Sequence, residues 1–427
     1  MTSRRSFLKN AAACAPASVL AAQTVPAMQS AVPTTYDIAT LPQHYDVDRT
    51  VINLENAYWG VMPRETAAVY AEKIQYVNRL NSLFARNAIP SNTMDAQLDE
   101  ARASIASLLH CDTEEIALTR SGSDGLESLI VNYNLLKPGD AVVYCDLDYD
   151  AMIFAMDFLE ERRGAKIVRF DMPEPATTAN ILAAYEDILK RTPNAKLLLV
   201  THVSNRTGLV TPVREIVAMA RARGVDTIVD AAHGIGCLNV TLPDFGADFV
   251  GWSMHKWLAA PLGTGAVYIR KSRIRDVEIA FDNHDVPEAD IRARLPAGTI
   301  NFAAAMTVPA AIDFHRKVGP AAKEQQLRTL RNRWVDAARS IPGVEITVPD
   351  DPARFCAITS FRLRGMHTDA DAERVQHQLL EKHNILTVAR KGVSKGPVVR
   401  VTPALYNTPA DCDALIRALE TEHNLFA

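Results

Sequence analysis

Residues 224–269 decide the fold, and they read GVDTIVDAAHGIGCLNVTLPDFGADFVGWSMHKWLAAPLGTGAVYI. This stretch contains two apolar runs of strand length, 227–230 and 249–252, and polar residues end or follow each of them. Side chains beyond the carboxyl ends of strands in an open α/β sheet share one crevice, where ligands bind. We therefore expect Asp230 and Lys256, 26 residues apart (256 − 230), to face the same crevice.

Lys256 and Asp230 have the chemical character of a pair that holds pyridoxal phosphate (PLP). A lysine acts as a covalent catalyst when a carbonyl partner is available, and the cofactor supplies one. A carboxylate keeps the pyridine nitrogen protonated, so that the ring acts as an electron sink. Taken singly, such a lysine is more often a solvated surface residue, and such an aspartate is usually a helix cap. Together they predict a PLP site with Lys256 and Asp230 as its catalytic residues.

The segments VDAAH, SMHKW and PLGTGAVYI resemble the strand-acid, S-x-H-K and G-T-G segments of the class V aminotransferase family. The resemblance covers residues 53–419 and implies a PLP-dependent transferase of fold type I. Such a fold has a large doubly wound, mostly parallel seven-stranded α/β sheet domain and a smaller α+β C-terminal domain. We expect residues 28–62 to join the small domain to the active-site mouth, 63–305 to bind PLP, and 306–427 to form the small domain.

A second segment, SGSDG at 121–125, follows a predicted strand at 116–119 and precedes a helix expected over 126–136. Free N–H groups and the helix dipole make such a turn an anion site, although most such turns are only tight connections. The resemblance implies that Gly122 and Ser123 bind the PLP phosphate. It further implies these cofactor contacts: Ser253 and His255 at the phosphate, Tyr149 stacked on the ring, Asn205 and His233 near the 3′-oxygen, and Thr299 contributed by the neighbouring subunit of a homodimer.

The substrate is expected to meet two further segments. Residues 398–408, VVRVTPALYNT, resemble R-V-S-P-x-L-Y-N-T, whose arginine holds the substrate carboxylate. A planar guanidinium forms two parallel bonds to a carboxylate, and the alternative is a structural role for Arg400. Residues 51–60, VINLENAYWG, resemble a segment at the active-site mouth, which makes Asn56, Tyr58 and Trp59 candidate substrate contacts. Packing aromatics are the alternative for Tyr58 and Trp59.

Composition excludes several other classes of protein. The net charge of −4 lacks the basic excess of a nucleic-acid-binding protein, and no run of 18 apolar residues indicates a membrane span. The histidines show no helical pairing near an acid, so we expect no metal. Five cysteines follow residue 27; their scattered, odd-numbered set predicts free thiols rather than a zinc site or a disulfide framework. They are Cys111, Cys145, Cys237, Cys356 and Cys412.

Residues 1–27 are predicted to be a twin-arginine signal peptide. The heptapeptide SRRSFLK at 3–9 has the form of that signal, an alanine-rich apolar stretch follows, and VPA at 25–27 is a small-residue cleavage site. The alternative is an ordinary basic helix start. Export by the twin-arginine machinery carries folded proteins, so we expect a periplasmic enzyme that leaves the cytoplasm with PLP already bound.

Within the family, the resemblance is to the isopenicillin N epimerase-like branch. Residues 386–400 contain no cysteine, which argues against a desulfurase. Together with the signal, the chain resembles periplasmic PLP enzymes of pyoverdine maturation. This resemblance implies that it modifies the glutamate of a pyoverdine-type siderophore precursor toward a succinamide. The alternatives are transamination of the same side chain to α-ketoglutarate, an aminotransferase or epimerase acting on another amino acid or peptide, and a catalytically idle PLP-fold binding protein. The amino acceptor and the fate of the substrate stay open.

Overall fold

A computed structural model describes residues 36–90 and 92–426 of the chain, so the predicted signal peptide lies outside the described residues. The strands, numbered in chain order, are β1 (Ile52–Asn53), β2 (Ile116–Thr119), β3 (Ala141–Cys145), β4 (Lys166–Phe170), β5 (Ala195–Thr201), β6 (Asp226–Asp230), β7 (Phe249–Ser253), β8 (Gly265–Ile269), β9 (Val344–Ile346), β10 (Thr359–Leu363), β11 (Ile385–Leu386), β12 (Val388–Arg390) and β13 (Val398–Val401).

The helices alternate with the strands of the central sheet and then dominate the last third of the chain. They are α1 (Arg64–Leu80), α2 (Ser82–Ala85), α3 (Met94–Leu109), α4 (Gly122–Val131), α5 (Asp150–Arg163), α6 (Thr178–Arg191), α7 (Val213–Arg221), α8 (Leu242–Phe245), α9 (Phe302–Val318), α10 (Pro320–Ala338), α11 (Asp369–His383) and α12 (Pro409–Glu422). Short 3-10 helices occur at Ile38–His44, Thr113–Glu115, Lys271–Asp276 and Ile291–Arg294.

Seven strands form the large sheet in the order β2-β8-β7-β6-β5-β3-β4. The pairs from β7 through β6, β5 and β3 to β4 are parallel, and β8 runs antiparallel to both of its neighbours. Both faces are buried: Val229 and Val250 pack into the core on one face, while Ile228 and Phe249 pack into the core on the other. Burial on both faces requires the continuous apolar runs seen in the sequence. The predicted doubly wound fold is confirmed.

A smaller four-stranded antiparallel sheet, β12-β13-β10-β9, forms the C-terminal α+β part, as predicted. The N-terminal segment reaches this part because β1 pairs with β11 in parallel. The sequence of 51–60 predicts a strand that runs into a loop, and in the structure this strand is only Ile52 and Asn53. Both sheets belong to one compact unit.

Two expected helices differ from the sequence-based prediction. Helix α4 begins at Gly122, four residues before the expected start, because the Ser121 hydroxyl caps it by accepting from the Asp124 N–H at 3.1 Å. The sequence from 306 to about 340 predicts a long helical region, and in the structure this region is two helices, α9 and α10. They meet at Gly319, whose φ of +84° an L side chain rarely adopts. Since α9 starts at Phe302, the expected domain boundary at 305/306 falls inside it, and the division into domains stays a prediction.

Candidate functional site

The two residues that anchor the prediction lie at adjacent strand ends. Asp230 is the last residue of β6 and is opposite Gly251 of β7, and Lys256 follows the end of β7 by three residues. The chain then turns so that Lys256 Nζ lies 3.2 Å from His233 Nε2. Asp230 and His233 are buried, and Lys256 is half-buried. The structure therefore brings Asp230, His233 and Lys256 together at one edge of the sheet.

Burial shifts the proton equilibria of all three groups. Removal from water lowers the pKa of Lys256 to about 8; the charge of Asp230 opposes this shift, and the Arg400 guanidinium adds to it. Burial also lowers the pKa of His233 well below its ordinary value, with the Lys256 charge as the next cause. The pKa of Asp230 is raised by burial, against a hydrogen bond from the Ala232 N–H and the charge of Lys256. Lys256 is thus a stronger candidate base near neutral pH than an ordinary lysine.

At the predicted phosphate site, the start of α4 packs closely against β7. The Gly122 N–H, in the first turn of α4, donates to Ser253 Oγ at 3.0 Å. A Cβ atom at Gly122 would lie 2.8 Å from the Trp252 carbonyl carbon, so only glycine allows this approach of α4 to β7. Ser123 occupies the next position of the first turn, where helix N–H groups are free to bind an anion. His255 Nδ1 donates to the Thr264 carbonyl oxygen at 2.9 Å, and this bond holds the imidazole ring beside the start of β8.

The residues present fit PLP on observations independent of the sequence pattern. Asn205 is buried, and its Oδ1 has no hydrogen-bond partner among the described residues. A buried polar atom without a partner indicates a missing ligand or water. Tyr149 is half-buried immediately before α5, at the same carboxyl edge of the sheet. An anion site, an amine of lowered pKa and a buried carboxylate are the three groups that a phosphorylated pyridine aldehyde needs.

Arg400 is buried in β13 and contacts both the segment after β5 and the segment after β1. Its Nη1 donates to the Asn205 carbonyl oxygen at 2.5 Å, and its Nη2 lies 2.5 Å from Glu55 Oε1. Arg400 Nε and Glu55 Oε2 are buried without partners among the described residues. The expected carboxylate-binding group thus already has an acidic partner. Sequence reasoning missed Glu55, and the available signal was its position beside Asn56 in the segment that reaches the mouth.

Arg390 is a second cation that sequence reasoning missed. Val388 of β12 is opposite Arg400 and Arg390 is opposite Val398, so the two arginines lie on the same face of the small sheet as diagonal neighbours. Within residues 36–90 and 92–426, Arg390 has no carboxylate within 4.0 Å, and its Nε is buried without a partner. Burial, and then the charge of Arg400, lowers the pKa of Arg390 to about 10. The pairing of β12 with β13 shows that Arg390 faces the site, and the sequence alone does not show it.

The loop between β12 and β13 is fastened to the large sheet. The Arg206 Nη1 donates to the carbonyl oxygens of Asp146 and Gly392, and the Ser394 N–H donates to Asp146 Oδ2 at 2.9 Å. Arg206 is also paired with Asp150. These contacts hold the hairpin that carries Arg390 and Arg400 at a fixed place over the carboxyl ends of β3 and β5.

The other predicted substrate contacts have different surroundings. The Asn56 side chain is bonded inside the protein: its Nδ2 donates to the Thr402 carbonyl oxygen at 2.8 Å, and its Oδ1 accepts from the Tyr406 hydroxyl. Tyr58 and Trp59 are 69 % and 46 % exposed, and their rings contact each other at a tilt of 58° with centroids 4.9 Å apart. The next residue, Gly60, donates its N–H to the His255 carbonyl oxygen at 2.8 Å, so both aromatics stand beside the Lys256 loop.

Thr299 is exposed, and Lys256 is not among the residues that line its cavity. It lines a separate surface cavity with Leu98, Arg292 and Phe302. The partner-subunit role of Thr299 stays a prediction.

In the described part of the chain, no group of three His, Cys, Asp or Glu side chains is placed to hold a metal, and no helix is long and apolar enough to cross a membrane. The five cysteines that follow residue 27 carry free thiols, as predicted.

Comparison with known proteins gives consistent likenesses. The sequence model of the aminotransferase class-V family matches residues 64–415. Isopenicillin N epimerase of Streptomyces clavuligerus is 28% identical over 403 residues, which are 88% of this chain and 95% of that protein. A probable cysteine desulfurase of Xylella fastidiosa (strain 9a5c) is 27% identical over 414 residues, 90% of this chain and 93% of that protein.

Two solved structures share the fold at lower identity. The apo cysteine desulfurase of Thermococcus onnurineus NA1 is 21% identical, with a TM-score of 0.76 over 95% of this chain and 100% of that chain. A C-DES mutant with glycine covalently linked to its PLP cofactor is 18% identical, with a TM-score of 0.77 over 90% of this chain and 99% of that chain.

Proposed function

The chain belongs to the aminotransferase class-V family, and we propose that it acts in the periplasm on the glutamate of a pyoverdine-type siderophore precursor, converting this side chain toward a succinamide. The observation that carries the proposal is the convergence of Lys256, Asp230 and Arg400 on one crevice, because an amine-bearing carbon with a neighbouring carboxylate requires a base, an electron sink and a cation. The export signal predicted at residues 1–27, outside the described residues, supports the periplasmic location.

Family membership confirms two expectations from the sequence: the chain is a PLP-dependent enzyme, and it resembles the isopenicillin N epimerase-like branch. Lys256 would hold the cofactor covalently, Asp230 would face its ring nitrogen, and the first turn of α4 would hold its phosphate. When bound, PLP withdraws electrons from the substrate carbon that carries the amine, which makes the proton or carboxyl group on that carbon removable.

The remaining chemistry belongs to the side chains of this protein. Lys256 Nζ, once free, is placed to take or return the substrate proton, and its lowered pKa of about 8 matches that role at neutral pH. Arg400 orients the substrate carboxylate through its planar fork, with Glu55 as the group that competes for it. Asp230 remains an acceptor for a protonated ring nitrogen because its Oδ1 is the atom engaged by the Ala232 N–H.

The proposed conversion balances with dioxygen as the oxidant. The amine-bearing carbon loses its carboxyl group as carbon dioxide, and one oxygen atom of dioxygen becomes the amide oxygen. The other oxygen atom leaves as water with the two hydrogen atoms removed from the substrate. Transamination of the same side chain instead requires a keto-acid acceptor, and epimerisation requires only proton return to the opposite face. The similarity to an isopenicillin N epimerase keeps epimerisation, or transamination of another amino acid or peptide, as the second candidate.

The proposal is tested by incubating the purified holoenzyme with a pyoverdine precursor that carries the glutamate side chain, in air, and weighing the product. We expect loss of carbon dioxide and two hydrogen atoms with gain of one oxygen atom. A keto-acid product that needs an added acceptor would replace the proposal by transamination. A product mass that is unchanged in ordinary water, together with exchange of the Cα hydrogen when the reaction is run in deuterated water, would indicate epimerisation.

A catalytically idle binding protein is distinguished by the Lys256→Ala variant in the same assay. If wild type and Lys256→Ala both leave the precursor unchanged in mass and isotope content while binding it equally well, the protein is not acting as an enzyme on this substrate. The intact lysine, aspartate and arginine of the crevice argue for the enzyme.

A further inference from the structure

Trp257, the residue after Lys256, makes a contact that the chemistry above does not use. Its indole Nε1 lies 3.2 Å from His233 Nδ1, on the side of the imidazole ring opposite Lys256. Trp257 and His233 are both buried. An indole N–H is only ever a donor, so His233 Nδ1 must be the acceptor in this bond. A neutral imidazole that accepts at Nδ1 carries its proton on Nε2.

The proton on His233 Nε2 determines which protonation form of Lys256 can make a hydrogen bond with it. His233 Nε2 and Lys256 Nζ are 3.2 Å apart, which is hydrogen-bond distance. An ammonium group has three donors and no acceptor, so it would face the Nε2 proton donor to donor. A neutral amine accepts this proton through its lone pair. We propose that Trp257 is a positioning residue that fixes the tautomer of His233, so that the imidazole donates to Lys256 and favours the neutral amine at the site of covalent chemistry.

The burial of His233 supports this arrangement. Burial is the largest cause that holds the pKa of His233 well below its ordinary value, so the ring is neutral and has a single proton to place. Other charged and titratable groups also act on Lys256 and His233 from several elements. These groups are Glu55 after β1, Asp230 at the end of β6, His255 after β7, Arg390 in β12 and Arg400 in β13.

None of these groups sets the direction of the Lys256–His233 bond. Arg390 and Arg400 disfavour the ammonium form, and Asp230 favours it, but all of them act only through charge. Trp257 is uncharged, and it acts by deciding which ring nitrogen carries the proton. Its substitution should therefore change the lysine without changing the charge of the site.

The test uses the Trp257→Phe variant, which keeps an aromatic ring and removes the N–H. Trp334→Phe is the matched control, because Trp334 is also buried and its Nε1 has no partner among the described residues. The full chain, freed of cofactor, is mixed with PLP from about pH 6 to about pH 10, and the rate of cofactor attachment is followed by absorbance. Only the neutral amine attacks the aldehyde, so the midpoint of the rate profile reports the pKa of Lys256.

We expect a wild-type midpoint near pH 8, where the lowered pKa of Lys256 lies. Loss of one hydrogen bond to the neutral amine should move the midpoint of Trp257→Phe upward by about 0.4 to 1 pH unit, and Trp334→Phe should not move it. Equal midpoints in the two variants would overturn the proposal.

A second variant keeps the proposal testable if Trp257→Phe disturbs packing. The amide of His233→Gln donates to Lys256 without depending on a tautomer, so adding Trp257→Phe to His233→Gln should cause no further shift. A further shift of the same size in that background would show that Trp257 acts by packing alone. Nitrogen NMR of isotope-labelled histidine in the holoenzyme gives a direct readout: a proton on Nε2 of His233 is expected, and a proton on Nδ1 refutes the inference.

Discussion

Replacing Arg400 and replacing its partner Glu55 should affect stability in the same direction and catalysis in opposite directions. The two side chains form a buried pair, with Arg400 4% and Glu55 15% exposed and 2.5 Å between Nη2 and Oε1. Arg400 also fastens β13 to the Asn205 carbonyl oxygen of the large sheet. A purely structural role, which the sequence left open, therefore has a physical basis, and the substrate role needs an experiment that separates the two.

The Glu55→Gln variant leaves the Arg400 charge buried without its counter-ion. Breaking a buried pair in this way costs about 3 to 5 kcal/mol. For a chain of this length, that loss corresponds to a melting temperature about 4 to 6 °C lower, because the entropy of unfolding scales with the number of residues. The same change replaces a charged competitor for the guanidinium with a neutral amide, which holds it less strongly. We therefore expect Glu55→Gln to melt earlier but to bind the substrate carboxylate at least as tightly as wild type.

The Arg400→Lys variant keeps the charge beside Glu55 but loses the planar fork. A single amine cannot bond Glu55, the Asn205 carbonyl oxygen and a substrate carboxylate together. Loss of one charge-assisted hydrogen bond costs about 1.5 to 3 kcal/mol, so kcat/KM should fall by roughly ten- to a hundred-fold. The cofactor absorbance should stay unchanged. Melting temperature and kcat/KM are measured on the same preparations, and stability losses in both variants with unchanged kcat/KM would refute the carboxylate role.

Three further changes test the rest of the site and the predicted address. Lys256→Ala should abolish turnover in the product-mass assay and the yellow, borohydride-bleachable absorbance while leaving the circular dichroism spectrum intact, since the covalent link and the base are one amine; wild-type turnover would exclude this mechanism. Asp230→Asn should lose kcat and bind PLP more weakly in equilibrium dialysis, because an unprotonated pyridine is a poor electron sink, and near-normal values would remove the ring-nitrogen assignment. Arg4→Lys with Arg5→Lys should retain the protein in the cytoplasm on cell fractionation, and undiminished periplasmic protein would mean that another route exports it.

The large sheet and the meeting of Asp230 and Lys256 at its carboxyl edge were predictable because their signals are local. Buried parallel strands require continuous apolar runs, and the positions of Asp230 and Lys256 follow from the ends of two such runs. The start of α4 was missed by four residues because small residues such as those at 122–125 are typical of turns. A capped helix accepts them when close packing against β7 requires glycine.

Other residues of the crevice depend on pairing across long sequence distances. Glu55 meets Arg400 only because β1 joins the small part of the chain through β11, and no local pattern encodes that contact. Arg390 shares a face with Arg400 only in the observed register of β12 and β13, since a shift of one residue would turn it to the other face. The hydrogen bonds of Asn56 to Thr402 and Tyr406 likewise join distant segments, so the sequence does not reveal them, and its substrate contact stays a prediction.

The small sheet places two arginines where their charges act on Lys256. Arg400 and Arg390 both lower the pKa of Lys256, while Asp230 on the large sheet raises it. The contacts of Arg206 and Asp146 with the β12–β13 loop set how near the two arginines stand to the lysine. A substrate carboxylate that binds Arg400 adds a negative charge there and offsets part of this effect, which makes the amine more basic. If Arg400 binds the substrate carboxylate as proposed, substrate binding on the small sheet is linked through charge to proton transfer on the large sheet, and the hairpin that carries both arginines is the element that links them.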